Sequence, residues 1–269
     1  MKRAACLVCL AVVVVTSGCD EDKKKAELLA KTGASASASA AAPLPVASEA
    51  PAASASAPAP KKDVLCPTGN ELTLTDADLE AELRLKLNKA QGPLKVSDLA
   101  GVRSLNLTKK ASLDELDPCV IPKLTGLKHL YLGPGKLDDL KPIANLTGLE
   151  SLRASINEVS DLKPLEKLVL LDRLDLGRTH VRDIAPLANL VNLTELQLDD
   201  TQIADLAPLA KCKKLEKVSI KHTNVIDVSP LKGLDKLKFL YTEGCAISNL
   251  DTLQPLVARG LKIVTQGSK

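Results

Sequence analysis

Aromatic side chains are almost absent from this chain: among 269 residues there is no Trp, one Phe and two Tyr. An interior anchored on large rings is excluded. The 45% apolar content must pack as Leu, Val, Ile and Ala, which favours a regular, layered core. Long hydrophobic runs are lacking too. The stretch at residues 4–15 is apolar for twelve residues, too short for a bilayer-spanning helix, which needs about 20. Nor is there a surplus of one charge, since 36 Lys and Arg face 33 Asp and Glu. A surface that tracks phosphates needs a basic excess or stripe, so nucleic acid is not expected as a partner.

Catalytic signatures are equally scarce. No Gly-rich phosphate loop, G-x-S-x-G or H-E-x-x-H is present, and His129, His180 and His222 fall at three different repeat offsets, without metal-ligand spacing. The expectation is a protein that is not an enzyme and needs no cofactor or metal.

What the N-terminus does contain is "MKRAACLVCLAVVVVTSGCDE": Lys2 and Arg3, the short apolar run, then small residues before Cys19. This is the layout of a secretory signal. "TSGC" also resembles the lipobox of bacterial lipoproteins, with Thr16 where that motif more often has Leu. The resemblance implies a signal peptide over residues 1–18 and lipidation of Cys19; an ordinary cleaved signal is the alternative. The expected location is the bacterial cell envelope, membrane-anchored and facing periplasm or cell surface. Loss of Lys2 and Arg3 takes 36 basic residues to 34 against 33 acidic, leaving the mature chain near neutrality.

Residues 19–62 follow, and 32–60 are nearly all Ala, Ser, Pro and Gly. Such a segment cannot bury enough surface to offset chain entropy. As a disordered linker at about 3.1 Å per extended residue it would reach on the order of 90 Å. Composition alone is equally compatible with filler, but an anchor at one end favours a tether. Residues 63–101 read as an N-terminal helical cap. A helix is expected over 75–89, started by Thr75 or Asp76, with Leu79, Leu83, Leu85 and Leu87 near one face. A short turn, "SDLAG", follows at Ser97.

Residues 102–260 carry a repeat. Units start at Leu127, Leu149, Leu171, Leu193, Leu215 and Leu237, each 22 residues after the last. In the unit at Leu171 the core columns continue through Leu174, Leu176, Val181, Ile184, Leu187 and Leu190. A single unit buries too little to offset its own ordering, so stability must come from stacking. A polar column runs Asn157, Thr179, Thr201, Thr223, Cys245, with Gly135 as an exception. Another runs Asp139, Asp161, Asp183, Asp205, Asp227 and Asn249, and in the first five units Pro stands three residues later. Asp accepts orphan N–H groups and Pro has none to offer, which suits the start of a short helical turn. A calcium ladder is the competing reading of stacked carboxylates, but the unit lacks the Gly-rich and second-Asp positions of calcium-binding repeats.

The L-x-x-L-x-L pattern is that of leucine-rich repeats, and "D-L-x-P-L" at 22-residue spacing resembles the internalin-type bacterial members. That resemblance implies an α/β fold: a solenoid with a parallel β-sheet on its concave face, short 3₁₀ or helical turns on its convex face and an N-terminal helical cap. It also implies use as a protein-binding module. Residues 261–269 would be a C-terminal edge strand and tail.

Strand alternation then selects candidate ligand-binding residues. If Leu130 and Leu132 point inward, His129, Tyr131 and Gly133 face the concave side. The central row reads Asn106, Tyr131, Arg153, Asp175, Gln197, Ser219, Tyr241, and its neighbour Ser104, His129, Ser151, Arg173, Glu195, Lys217, Phe239. All three aromatics of the chain lie in these rows, and aromatics and Arg are enriched where partners bind. Phe239 and Tyr241 could instead cover the C-terminal edge. Among the cysteines outside the signal, Cys66 and Cys119 both sit at the N-terminal end, where a disulfide is possible after export. Cys212 and Cys245, in a core column and the polar column, are expected to be buried free thiols. The expected protein is a monomer binding an unidentified protein ligand while held at a membrane by its lipid; a structural envelope spacer or an envelope-enzyme regulator are the alternatives.

Overall fold

The computed structural model describes residues 65–265; the expected signal, Cys19 and linker lie outside them. Asp76 opens the first helix, accepting the backbone N–H groups of Asp78 and Leu79 at 3.0 and 3.1 Å. This helix, α1, is Ala77–Leu87, and Asn88 ends it in the left-handed region at φ 50°. Leu79 and Leu83 are buried as expected, but Leu85 is 69% exposed. Helical residues two positions apart are separated by about 200°, so Leu85 stands opposite both Leu83 and Leu87. The short α2 (Val96–Leu99) buries Leu99, and an isolated antiparallel bridge joins Glu71 to Lys95. Cys66 and Cys119 form a disulfide, with Cα atoms 5.3 Å apart, fastening the start of the cap to the first coil.

Beyond the cap the chain winds through β1 (Ser104–Asn106), β2 (His129–Tyr131), β3 (Ser151–Arg153), β4 (Arg173–Asp175), β5 (Glu195–Gln197), β6 (Lys217–Ser219), β7 (Phe239–Tyr241) and β8 (Lys262–Val264). These form one parallel sheet in sequential order. The register is constant: Leu105, Leu130, Leu152, Leu174, Leu196, Val218, Leu240 and Ile263 lie side by side. Because one unit equals one full coil, each residue of this column meets its counterpart one unit on, 22 positions away from Leu130 to Leu240, 25 for Leu105 to Leu130 and 23 for Leu240 to Ile263. The core is therefore a stack of aliphatic columns. In the coil at Leu171, all seven core residues are at most 2% exposed.

The polar column closes each coil where the strand ends. Thr179, Thr201 and Thr223 donate to the carbonyls of Leu176, Leu198 and Ile220 at 2.6–2.7 Å. Asn157 donates to Gly133, Ala154 and Ser155 carbonyls. Gly135 breaks the column for a steric reason: a Cβ there would stand 2.2 Å from the Leu113 carbonyl oxygen.

On the opposite side the Asp column starts the 3₁₀ turns. Asp139, Asp161, Asp183, Asp205 and Asp227 each accept the N–H two residues on, at 2.7–2.9 Å. Pro follows within the turn, for example in Ala185–Asn189 and Ala207–Lys211. Asn249 replaces the sixth Asp, donating to Asp227 Oδ1 and accepting from the Val228 N–H.

Cys212 is buried in its leucine column, whereas Cys245 is only partly buried, a departure from expectation. It lies in the last full coil, where no further full repeat stacks over it; the chain there turns through α3 (Gln254–Val257) into β8.

Candidate binding face

The parallel strands, about 4.8 Å apart, form one face of the solenoid and the 3₁₀ turns lie on the other, the sheet being the inner, concave face of such a coil. The central residue of each strand from β1 to β7 is buried, Ile263 at the centre of β8 only partly, and the two flanking residues project outward. The structure brings His129, Tyr131, Arg153, Arg173, Asp175, Glu195, Gln197, Lys217, Phe239 and Tyr241 onto this one face, and none of them is fully buried. Gly133 and Ser219, also expected on this face, differ. Gly133 is buried, lying so close to β1 that a Cβ would stand 2.6 Å from the Leu107 carbonyl oxygen. Ser219 is 3% exposed, because its hydroxyl turns sideways to donate to Asp199 Oδ1 at 2.6 Å.

The aromatics sit in two groups. His129 and Tyr131 stack with centroids 6.5 Å apart, and Phe239 and Tyr241 do the same at 6.5 Å. Nδ1 of His129 is buried without a hydrogen-bond partner among the described residues. Phe239 and Tyr241 do not lie on the last strand: β8 continues the sheet beyond them, with Lys262 beside Phe239 and Val264 beside Tyr241.

Between the two groups the face is polar and largely self-neutralised. Arg153 lies 3.4 Å from Asp175, whose oxygens also accept from Ser155 and the Gly177 N–H. Arg173 lies 3.9 Å from Glu195. At the entry to the strands, Lys128 and Lys238 donate to Glu150 and Glu216, holding both carboxyls below their ordinary range.

Sequence reasoning placed Gly133 outward but did not follow its row along the sheet: Ser155, Asp199, Lys221 and Glu243 belong to it, two residues beyond each strand, with Ser155 buried and the other three half-buried. Continuing the alternation by one more step in every coil would have found it. It also missed a column of left-handed residues, Ile156, Arg178, Asp200, His222 and Gly244. Their 22-residue spacing was visible, but only Gly244 is a residue type that enters positive φ freely, Asp and His being merely enriched there. Asp200 is gripped from both sides there, by Arg178 Nε at 3.4 Å and His222 Nδ1 at 3.1 Å. Among the described residues, no three His, Cys, Asp or Glu side chains converge as a metal site would require.

Comparison with known proteins places this geometry. The family model described as "Leucine Rich repeats (2 copies)" matches residues 191–233. No curated protein matches the chain significantly. Solved structures do. An internalin (inlF) of Listeria monocytogenes is 28% identical at a TM-score of 0.65, over 70% of this chain and 55% of its own. Internalin C2 (inlC2) of the same species is 24% identical at 0.60, over 71% of this chain and 93% of its own. A leucine-rich-repeat protein of Leptospira interrogans is 24% identical at 0.58, over 64% and 45%. This chain thus spans about half the length of the first and third of these. The coils from β1 to β8 are a leucine-rich-repeat solenoid, similar in fold to the internalins.

Proposed function

We propose that this protein is a membrane-tethered binding module that holds a protein ligand on the inner face of its sheet. The observation that carries the proposal is the placement of the rings. Tyr131, Phe239 and Tyr241 are the only aromatic residues in the sequence, and none is used in the core. All three stand on the outward rows of one in-register sheet, where rigid amphipathic side chains serve recognition. The lipobox-like "TSGC" and the Ala/Ser/Pro-rich segment behind it supply the anchor and the reach.

The test has two arms. Tyr131→Ala, Phe239→Ala and Tyr241→Ala, combined in the full chain, should remove partners crosslinked from an envelope extract; an unchanged set of partners counts against this face. Labelled fatty acid should enter the wild-type chain and not Cys19→Ser; labelling of both, or of neither, rejects the lipid tether. An envelope defect on deletion that the ring variant does not reproduce would favour a structural spacer.

A further inference from the structure

The inner face is not electrostatically uniform. On β3 to β5 the charges are matched within the protein: Arg153 with Asp175, Arg173 with Glu195, and Asp199 with the Ser219 hydroxyl and the Lys221 N–H. On β6 to β8 they are not. Lys217, Phe239 and Lys262 are register neighbours on three successive strands, so a ring is flanked on both sides by a cation. Lys217 Nζ sits 5.8 Å and Lys221 Nζ 5.4 Å from the centroid of Tyr241, and Lys262 Nζ 5.7 Å from that of Phe239. Lys221 also has Glu243 at 3.8 Å. Among the described residues, Lys217 and Lys262 have no carboxylate within ion-pair distance; their partners are the ring faces.

We infer that the β6–β8 end of the inner face docks an acidic segment of the protein ligand, with carboxylates on Lys217 and Lys262 and an apolar side chain on the Phe239–Tyr241 pair. The inference rests on the binding face proposed above and names the chemistry of its occupant. An exposed cation–π contact is weak, about 0.5–1 kcal/mol, so it holds each ammonium over the floor without satisfying its charge. A carboxylate arriving there gains a charge-assisted hydrogen bond and displaces little. A uniform polyanion, a nucleic acid or sulfated polysaccharide, is disfavoured because the adjoining strands offer its continuation no unpaired cation, Arg153 and Arg173 being already matched by Asp175 and Glu195, whereas a peptide can change charge along its length.

Selection of random displayed dodecapeptides against the full chain tests this. Peptides rich in Asp or Glu beside an aliphatic or aromatic residue should be enriched. Their binding should fall at least about tenfold in Lys217→Gln/Lys262→Gln, the scale expected for losing one interfacial charge pair, and should weaken with salt. Tyr131→Ala should leave them bound. Enriched peptides without acidic character, or binding unmoved by the double Gln variant, overturn the acidic docking site. If such peptides are lost instead in Tyr131→Ala, the wider face survives as a binding surface. Peptides unaffected by every inner-face variant sink both readings. Heparin bound as well as the peptides, and through the same lysines, would assign the site to a polyanion and reject the inference.

Discussion

The imidazole of His222 lies across Gly244, so close that a Cβ built on that glycine would stand 2.1 Å from its Cδ2. Gly244 also has a φ of 74°, a conformation other residues adopt at a cost. Gly244→Ala should therefore lose about 1–2 kcal/mol, read as a lower urea midpoint. The imidazole has to swing away, giving up its 3.1 Å contact with Asp200. His222→Ala should consequently cost less in the Gly244→Ala background than in the wild type, a coupling that a double-mutant cycle measures. Strictly additive effects would show that the ring does not lie over residue 244.

Ile156 presents the opposite case. It is β-branched, 44% exposed, and held at φ 61°, where its side chain contributes little burial and its backbone is strained. Asn tolerates the left-handed region and Gly enters it freely. Ile156→Asn and Ile156→Gly should both raise stability, by about 1 kcal/mol, with Asn the better because it adds less freedom to the unfolded chain. A fall in urea midpoint for both variants would contradict a strained backbone at this position.

The column that holds these two residues marks where the sequence stopped being legible. In a solenoid each core position contacts its own copies, so Leu174 could be assigned by counting, and so could the Thr179 and Asp183 columns, where one residue type recurs in most coils and meets one backbone demand. The outward direction of Tyr131 and Lys217 followed from the period of the strand. Features that depend on departures from the repeat did not follow. Nothing in Ile156, Arg178 or His222 announces positive φ, and Leu85 shows that an apolar residue on a helix need not join its apolar face. The placement of Lys217, Lys221 and Lys262 over the rings depends on rotamers of long side chains across three strands, which no spacing rule specifies.

The Asp column allows a graded test. Asp183 Oδ1 accepts the Ala185 N–H at 2.8 Å, the one link between that side chain and the turn that follows. Asp183→Ala should cost about 0.5–2 kcal/mol, whereas Asp183→Asn, which keeps the acceptor, should cost only a fraction of that. Equal losses in urea unfolding would mean that the negative charge, rather than the turn hydrogen bond, is what the column supplies.

The two free thiols among the described residues should separate in reactivity. Burial pushes the Cys212 thiol up to about 11, and it is packed at 0% exposure, so neither thiolate nor access is available in the folded state. Cys245 is only partly buried. Iodoacetamide at mildly alkaline pH should modify Cys245 first and Cys212 only when denaturant opens the coil, as peptide mass spectrometry will show. Labelling of Cys212 at the rate of Cys245 would place that coil in local unfolding or its thiol outside the core.

Stability should depend on acid in a defined direction. Glu150 and Glu216 are held below their ordinary 4.5 by hydrogen bonds from Lys128 and Lys238, and Asp98 below 3.8 by Lys89 and the Lys95 N–H. Asp227 is lowered by Ser229 and by Asn249. A carboxyl with a lower pKa folded than unfolded adds stability above its unfolded value, and that contribution disappears as pH falls through the folded one. Urea midpoints should thus stay level from neutrality to about pH 5 and then decline toward about pH 3. Because these groups are on the surface, moderate salt should flatten part of the decline, and Glu150→Gln/Glu216→Gln should flatten more of it while starting from a slightly lower midpoint at neutral pH. A midpoint that rises on acidification would require the opposite shifts, with carboxyls more easily protonated in the folded coil than in the free chain, and would contradict the Lys128–Glu150 and Lys238–Glu216 pairs between successive coils.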